Sequence, residues 1–354
     1  MGNIESYFQS AIKQFNYAYE SAADAVDFYY NIANRIVRVK FTNRQMANAL
    51  TPALEHLISD NKKVAQLNIC CLDSVVTKID FPMPPWSVKN YSPRGDIEGF
   101  DNERFKIGFH SWANVLSMFD SKENVAIYWT HDYNHLPSYE KSAPFLFILN
   151  MCMSNQQRQL IHAAAVGYPN AGVLLVGRSH SGKSTTALSC LSSKLYYAGD
   201  DYCLLSEEDT PYIFSLYSSA KLLAQDLGKF PELNPALDTI NVPQDDRALY
   251  FLTRTNPGKI INGFPLKLIL IVKIGENNQT LVKPVRAVEI LKTLAPSTMV
   301  QLPTAAGQTL RTIANIIRKV PCFSLEIGKD ITQISAKIEE VLLKHNSAGK
   351  YGTH

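Results

Sequence analysis

The sequence lacks most of the features that would place it in a special class. No apolar run approaches the ~20 residues that a helix needs to cross a bilayer, which excludes a helical membrane protein. The opening residues, Met1-Gly2-Asn3-Ile4-Glu5-Ser6, are polar and acidic, so no secretory signal is expected; their M-G-x-x-x-S spelling fits only a loose acylation pattern. The six cysteines (70, 71, 152, 190, 203 and 322) show neither C-x-x-C nor Cys/His metal spacing. Reduced, buried thiols in a cytoplasmic protein are the expectation. The formal net charge is only +3 and the basic residues are scattered, so the clustered Lys/Arg footprint of a nucleic-acid binder is missing. There are no internal repeats and no low-complexity tract. What remains is a chain of 354 residues, 46% hydrophobic and 19% charged, with a composition that buries a sizeable core in two domains or in one with an appendage.

The first part of the chain offers elements but no chemistry. Ile4, Phe8, Ile12, Phe15 and Tyr19 recur at helical spacing and predict an amphipathic helix over residues 1–30. Ile36–Phe41 alternates like a half-exposed strand. Asn43 is placed to cap a helix through Met46, Leu50, Leu54 and Leu57, in which Pro52 is an anomaly. Residues 81–99, rich in Pro and Gly, read as loop. Strands are expected near Phe105–Phe109 and Val125–Trp129, and a helix over residues 144–159. Together residues 31–155 read as an α+β module of unknown role. His131 and His135 have the spacing of a helical metal pair, but Thr130-His131-Asp132-Tyr133-Asn134-His135-Leu136-Pro137 is turn-like and reads as a surface loop.

From Leu160 the character changes. Leu160–Gly167 is strand-like, Pro169-Asn170-Ala171-Gly172 is a turn, and Gly172–Val176 is a buried strand. Next comes Gly177-Arg178-Ser179-His180-Ser181-Gly182-Lys183-Ser184-Thr185, and then a segment able to start a helix. Strand, G-x-x-x-x-G-K-[ST], helix is the context of a loop that cradles a polyphosphate on its backbone N–H groups. In such a loop Lys183 reaches the β- and γ-phosphates and the Ser184 hydroxyl holds Mg²⁺.

Downstream, Leu195-Tyr196-Tyr197-Ala198-Gly199 leads into Asp200-Asp201, 17 residues after Lys183, room for one helix and a tight turn. Two carboxylates there suit a Mg²⁺–nucleotide site: one completes the metal shell and the other accepts a proton from an attacking hydroxyl. Adjacent like charges also couple their titrations. If the turn is centred between Asn170 and Ala171, antiparallel pairing sets His162 opposite about residue 179, at the lip of the loop. Lys221 and Arg247 are further candidates for contacts to phosphate or substrate. Later, Leu266–Ile274 and Cys322–Ile327 read as strands, and residues 304–318 and 331–344 as helices. Strands alternating with helices argue for an α/β nucleotide-binding core.

Ile161-His162, the phosphate loop and Ala198-Gly199-Asp200-Asp201, at these spacings, resemble the kinase core of HPr kinase/phosphorylase. The chain is still more similar to stand-alone HPr-kinase-like serine kinases, among them those that tailor lasso peptides. Ser215–Leu222 and Val320–Gly328 carry the same likeness, which spans about residues 160–345. The loop departs from the family's in having Arg178 and His180 where an acidic residue and a glycine are usual, and the later acidic-Arg-Gly signature is absent. The resemblance implies an HPr-kinase-like α/β core, a mixed sheet flanked by helices, over residues 156–345, with the smaller α+β module before it and a frayed tail over 346–354. It implies transfer of the γ-phosphoryl group of ATP, with Mg²⁺, to a serine-type hydroxyl of a peptide, protein or small-molecule acceptor. Asp200 is then the general base, Asp201 and Ser184 serve Mg²⁺, and Lys183 and His162 stabilise the phosphoryl group. The expected partner is that acceptor, with no nucleic acid and no membrane, and the oligomeric state is left open. Two alternatives stay open at this level. One is a nucleotide-binding regulator that hydrolyses ATP slowly, although no guanine-reading N-K-x-D string is present. The other is a degenerate binding module, suggested by His180.

Overall fold

In a computed structural model the described residues are 4–61, 64–154, 158–231, 233, 247–302 and 306–348. The chain divides into two compact units, residues 1–156 with 302–304 and residues 157–301 with 305–354.

The first unit opens with helix α1 (Ile4–Ser21), which ends well short of residue 30 because Val26–Ile32 is already strand β1. Its apolar stripe buries Tyr7, Phe8, Ala11, Phe15 and Ala18. Strand β2 (Arg35–Phe41) closes a hairpin with β1. The Asn43 side chain caps helix α2 (Arg44–Leu50) by accepting from the Met46 N–H at 2.7 Å. Pro52 ceases to be an anomaly: the helix ends before it, and Pro52 opens a separate 3₁₀ segment, where a missing N–H costs nothing. Strands β3 (Leu67–Asp73), β4 (Phe105–His110), β5 (Val115–Asp120) and β6 (Val125–Thr130) complete a six-stranded sheet in the order β1-β2-β3-β6-β5-β4. The helix expected over 144–159 is shorter, Leu146–Met153, and is followed by a strand from Arg158.

The second unit is built on strands β7 (Arg158–His162), β8 (Ala164–Tyr168), β9 (Ala171–Val176), β10 (Tyr196–Gly199), β11 (Tyr202–Ser206) and β12 (Tyr212–Ser215), followed by β13 (Ser219–Leu223) and β14 (Arg247–Phe251), then β15 (Gly263–Ile274), β16 (Leu281–Pro284) and β17 (Cys322–Ile327). Its main sheet runs β10-β8-β9-β15-β12-β11-β7, with β17 parallel to β15 and β16 outside it. β9 and β15 are parallel, and so are β15 and β17, whereas β8 is antiparallel to both β9 and β10. β13 and β14 form a separate two-stranded ladder. Helices Lys183–Ser189, Ala287–Gln301, Ala306–Arg318 and Thr332–Ala348 accompany the sheet. Two apolar clusters, one built on Val173, Leu175, Leu188 and Ile338 and the other on Leu174, Val176, Ile290 and Ile316, use alternate residues of β9 and so lie on its opposite faces. The unit is therefore an α/β fold with helices flanking a mixed sheet. The last helix continues to Ala348, past the point where a frayed tail was expected; residues 349–354 lie outside the described residues. Among the described residues no helix is long and apolar enough to cross a membrane.

The stretch read from sequence as one strand, Leu160–Gly167, is two. The β8–β9 hairpin pairs Tyr168 with Ala171 and Ala164 with Leu175, so its turn is centred one residue earlier than expected, between Pro169 and Asn170, and the pairing stops at Ala164. β7 instead pairs with β11, and His162 faces Tyr202 rather than the loop at residue 179. A single geometric consequence positions the site. Gly199 pairs with Ala165 and Tyr202 pairs with His162, so Asp200 and Asp201 occupy a break in one long antiparallel pairing, opposite Ala164 and Ala163. Because β10 runs parallel to β9 two strands away, that break and the end of β9 lie on the same edge of the sheet.

Candidate functional site

The phosphate loop leaves β9 at Val176 and closes onto the helix Lys183–Ser189. Two of its positions favour glycine. A Cβ on Gly177 would lie 2.1 Å from Ser181 Oγ, and Gly182 has φ of 96° with a hypothetical Cβ 2.7 Å from Ile327 Cδ1. His180 adopts φ of 61°, a left-handed conformation that an imidazole side chain tolerates at a cost; its Nδ1 lies 2.9 Å from Ser179 Oγ. Arg178, Ser179 and His180 form the exposed rim, while Ser181, Ser184 and Thr185 are half-buried. Lys183 is buried, and its Nζ arches back to donate to the carbonyls of Gly177 (3.1 Å) and Arg178 (3.4 Å). Burial lowers its pKa, against the opposing pull of Asp200 and Asp201.

Asp200 is only 3% exposed. Among the described residues neither of its carboxylate oxygens has a partner in hydrogen-bonding geometry. The Ser184 hydroxyl is near enough to favour the charged form without completing a bond. Burial, and then the neighbouring Asp201, nevertheless raise the pKa well above the carboxylate range. Asp201 has the opposite surroundings. Its side chain is 28% exposed, and Lys221 Nζ lies 2.7 Å from Oδ2. Burial pushes its pKa up, but Lys221, His162 and Lys183 together outweigh that and hold it below the usual range.

His162 stands at the end of β7. Its backbone N–H donates to Thr298 Oγ1 at 3.1 Å, and its ring centroid lies 5.5 Å from that of Tyr202. Nε2 is 3.9 Å from Asp201 Oδ1, too far for a hydrogen bond, and Nδ1 is buried with no partner among the described residues. Burial, then Lys183, pushes its pKa down to about 4, so the imidazole is neutral at pH 7.

The β13–β14 ladder supplies the far wall. Pairing sets Lys221 opposite Leu249 and Leu223 opposite Arg247, so Lys221 and Arg247 share one face. Ala220, Leu222, Ala248 and Tyr250, on the other face, belong to the apolar core. Arg247 is close enough to Lys183 to disfavour its charge. Lys183, His162, Asp200, Asp201, Lys221 and Arg247 thus act on one another across a single site.

Thr298 and Tyr202 were not among the residues singled out from the sequence. The helix that carries Thr298, Ala287–Gln301, holds Pro296 in its interior, which removes the signal by which a helix is read. His131 and His135 form no metal pair: His135 is exposed and its Nδ1 lies 2.8 Å from Asp132. Among the described residues no group of three or more His, Cys, Asp or Glu is arranged to hold a metal. The donor set that does exist, the orphaned carboxylate of Asp200 beside the Ser184 hydroxyl, suits Mg²⁺. That ion takes one or two protein oxygens and completes its shell with water and phosphate.

No protein-family model matches the sequence, and no curated protein matches it in sequence. Among solved structures the chain is similar to the HPr(Ser) kinase/phosphatase from Coxiella burnetii, at 13% identity, covering 54% of this chain and 99% of that one, with a TM-score of 0.30. A score at that level is too low to assign the chain to a family by shape.

Proposed function

We propose that this protein is an ATP- and Mg²⁺-dependent kinase that transfers the γ-phosphoryl group to a serine-type hydroxyl of a peptide, protein or small-molecule acceptor. The observation that carries this reading is the break between β10 and β11, which sets two adjacent carboxylates in opposite environments beside the phosphate loop. A nucleotide-binding protein needs one acidic residue for its metal; a kinase also needs one that an acceptor can reach.

The environments support an assignment of roles that reverses the one implied by the family resemblance. Asp200 is shut away from any incoming hydroxyl and lies beside Ser184, so these two residues are assigned to Mg²⁺. Asp201 is partly exposed and ionised, so it is assigned the acceptor proton. Accessibility decides here ahead of basicity, because a base must first touch the proton that it takes. Bound Mg²⁺ supplies charge neutralisation along the triphosphate. The loop amides and Lys183 hold the phosphates, and neutral His162 offers one ring N–H without adding charge. In the transfer, the acceptor oxygen bonds to Pγ as the bond from Pγ to the β–γ bridging oxygen breaks; ADP leaves and Asp201 takes the hydroxyl proton.

The test uses labelled ATP with serine-bearing acceptors and two variants. Asp201→Asn is expected to keep Mg²⁺–ATP binding and lose transfer by about 10²-fold or more. Asp200→Asn is expected to lose the Mg²⁺ dependence of nucleotide affinity. Wild-type transfer by Asp201→Asn would refute the base assignment. Nucleotide consumption indifferent to every added hydroxyl would replace the kinase with a slow ATPase that signals by conformation.

A further inference from the structure

Lys221 is the residue whose placement the roles above leave unexplained. It sits mid-strand on β13, and its apolar neighbours on the opposite face, Ala220 and Leu222, are anchored in the core. Its side chain is 15% exposed and ends 2.7 Å from Asp201. A lysine that served solubility would not be held so, since lysine is seldom buried unless it has a task or a partner. Its task is not to anchor the nucleotide, because Lys183 already lies within the loop from the β9 side. Lys221 approaches Asp201 from a different element.

Resting on the kinase reading, we infer that Lys221 is a second phosphoryl-stabilising cation: with Lys183 it brackets the position between the phosphate loop and Asp201 through which the phosphoryl group passes. In the free protein its charge is balanced by Asp201. When Asp201 takes the acceptor proton it loses that charge, and the Lys221 ammonium is left opposite the group that is gaining negative charge on its equatorial oxygens. The cation is needed most at the moment when its partner is neutralised. Bonds and protons balance as in the transfer written above; Lys221 keeps its three protons throughout and exchanges one anionic neighbour for another. Arg247, on the same face of the ladder, adds positive field without reaching Asp201 in a direct pair.

Such a residue stabilises the transition state more than the ground state, so its loss should appear in analogue binding rather than in nucleotide binding. The probes are Mg²⁺–ADP and Mg²⁺–ADP with aluminium fluoride, a planar mimic of the transferring group, titrated against the full chain and against Lys221→Met and Lys221→Arg, with thermal melts to show that each variant is folded. In the wild type, aluminium fluoride is expected to tighten ADP binding. In Lys221→Met that gain should fall by about 30-fold or more while Mg²⁺–ADP affinity stays within about threefold, and Lys221→Arg should recover part of it. Equal loss for both probes would make Lys221 a nucleotide or folding residue. An unchanged gain, or none in the wild type, would overturn the assignment. Neither readout requires an acceptor, so failure to find one bears on the kinase reading and leaves this result standing.

Discussion

Burial of His162 as a neutral imidazole makes a quantitative demand on stability. Groups from every neighbouring element act on it: Lys183 from the loop helix and Lys221 from β13 disfavour its charge, Asp201 favours it, and Tyr202 and Thr298 add none. Burial dominates and brings the pKa from 6.5 to about 4. The folded-state value is depressed, so above pH 6.5 neither state holds the extra proton and the group contributes no pH dependence. As pH falls below 6.5 the unfolded chain binds a proton that the folded one refuses, and stability is lost until pH reaches about 4. From these two values the loss between pH 7.5 and pH 5 is about 2 kcal/mol. His162→Gln removes the titration and keeps a polar side chain. Urea unfolding of both proteins at pH 7.5, 6 and 5 should show the gap between wild type and variant changing by about that amount in favour of the variant at low pH. The packing cost of the substitution is an offset that cancels in this comparison. Parallel stability curves for the two proteins would refute the buried, neutral histidine.

Lys183→Ala should weaken Mg²⁺–ATP binding by about 10²-fold and abolish transfer, because it removes the buried cation of the loop; nucleotide titration with and without Mg²⁺ reads the loss. Gly182→Ala forces a side chain into φ of 96° and against Ile327, and should cost roughly 1–2 kcal/mol in thermal stability, with only the clash, not the strain, relieved by Ile327→Val. His180→Gly relieves a left-handed non-glycine residue of the free loop, and should raise thermal stability by up to about 1 kcal/mol in a melt while leaving nucleotide affinity within about twofold.

What was legible in the sequence is what is local. The phosphate loop and its flanks form one continuous pattern, and β9, the helix Lys183–Ser189 and β17 fall where they were expected. Asp200-Asp201 was visible as a polar pair closing an apolar strand. His162 was drawn to the site by an incorrect pairing: the β8–β9 hairpin stops before it, and the β7–β11 ladder brings it in instead. Register between non-adjacent strands is a tertiary property that no hairpin arithmetic reaches. β3 went unread because it lies between two parallel neighbours, β2 and β6, and is nearly continuously buried, so that no alternation marks it. Thr298 was hidden by Pro296 in its helix. The opposite roles of the two aspartates were hidden altogether, since their identical side chains differ only in what surrounds them.

That last difference explains why the break in the pairing matters. Successive side chains along a strand point to opposite faces, so two adjacent aspartates in regular pairing would each be committed to one side of the sheet. Interrupting the ladder opposite the small side chains of Ala163 and Ala164 frees both carboxyl groups to address the same edge. Adjacency alone would make them share a proton, as like charges in one environment do. Here the burial of one and the pairing of the other with Lys221 separate their pKa values in opposite directions. A dyad split in this way offers two distinct acids where the sequence spells the same residue twice, one fitted to hold a cation and the other to receive a proton. The division of labour therefore comes from strand pairing. It would be lost in any variant that kept both aspartates but restored a continuous ladder around them.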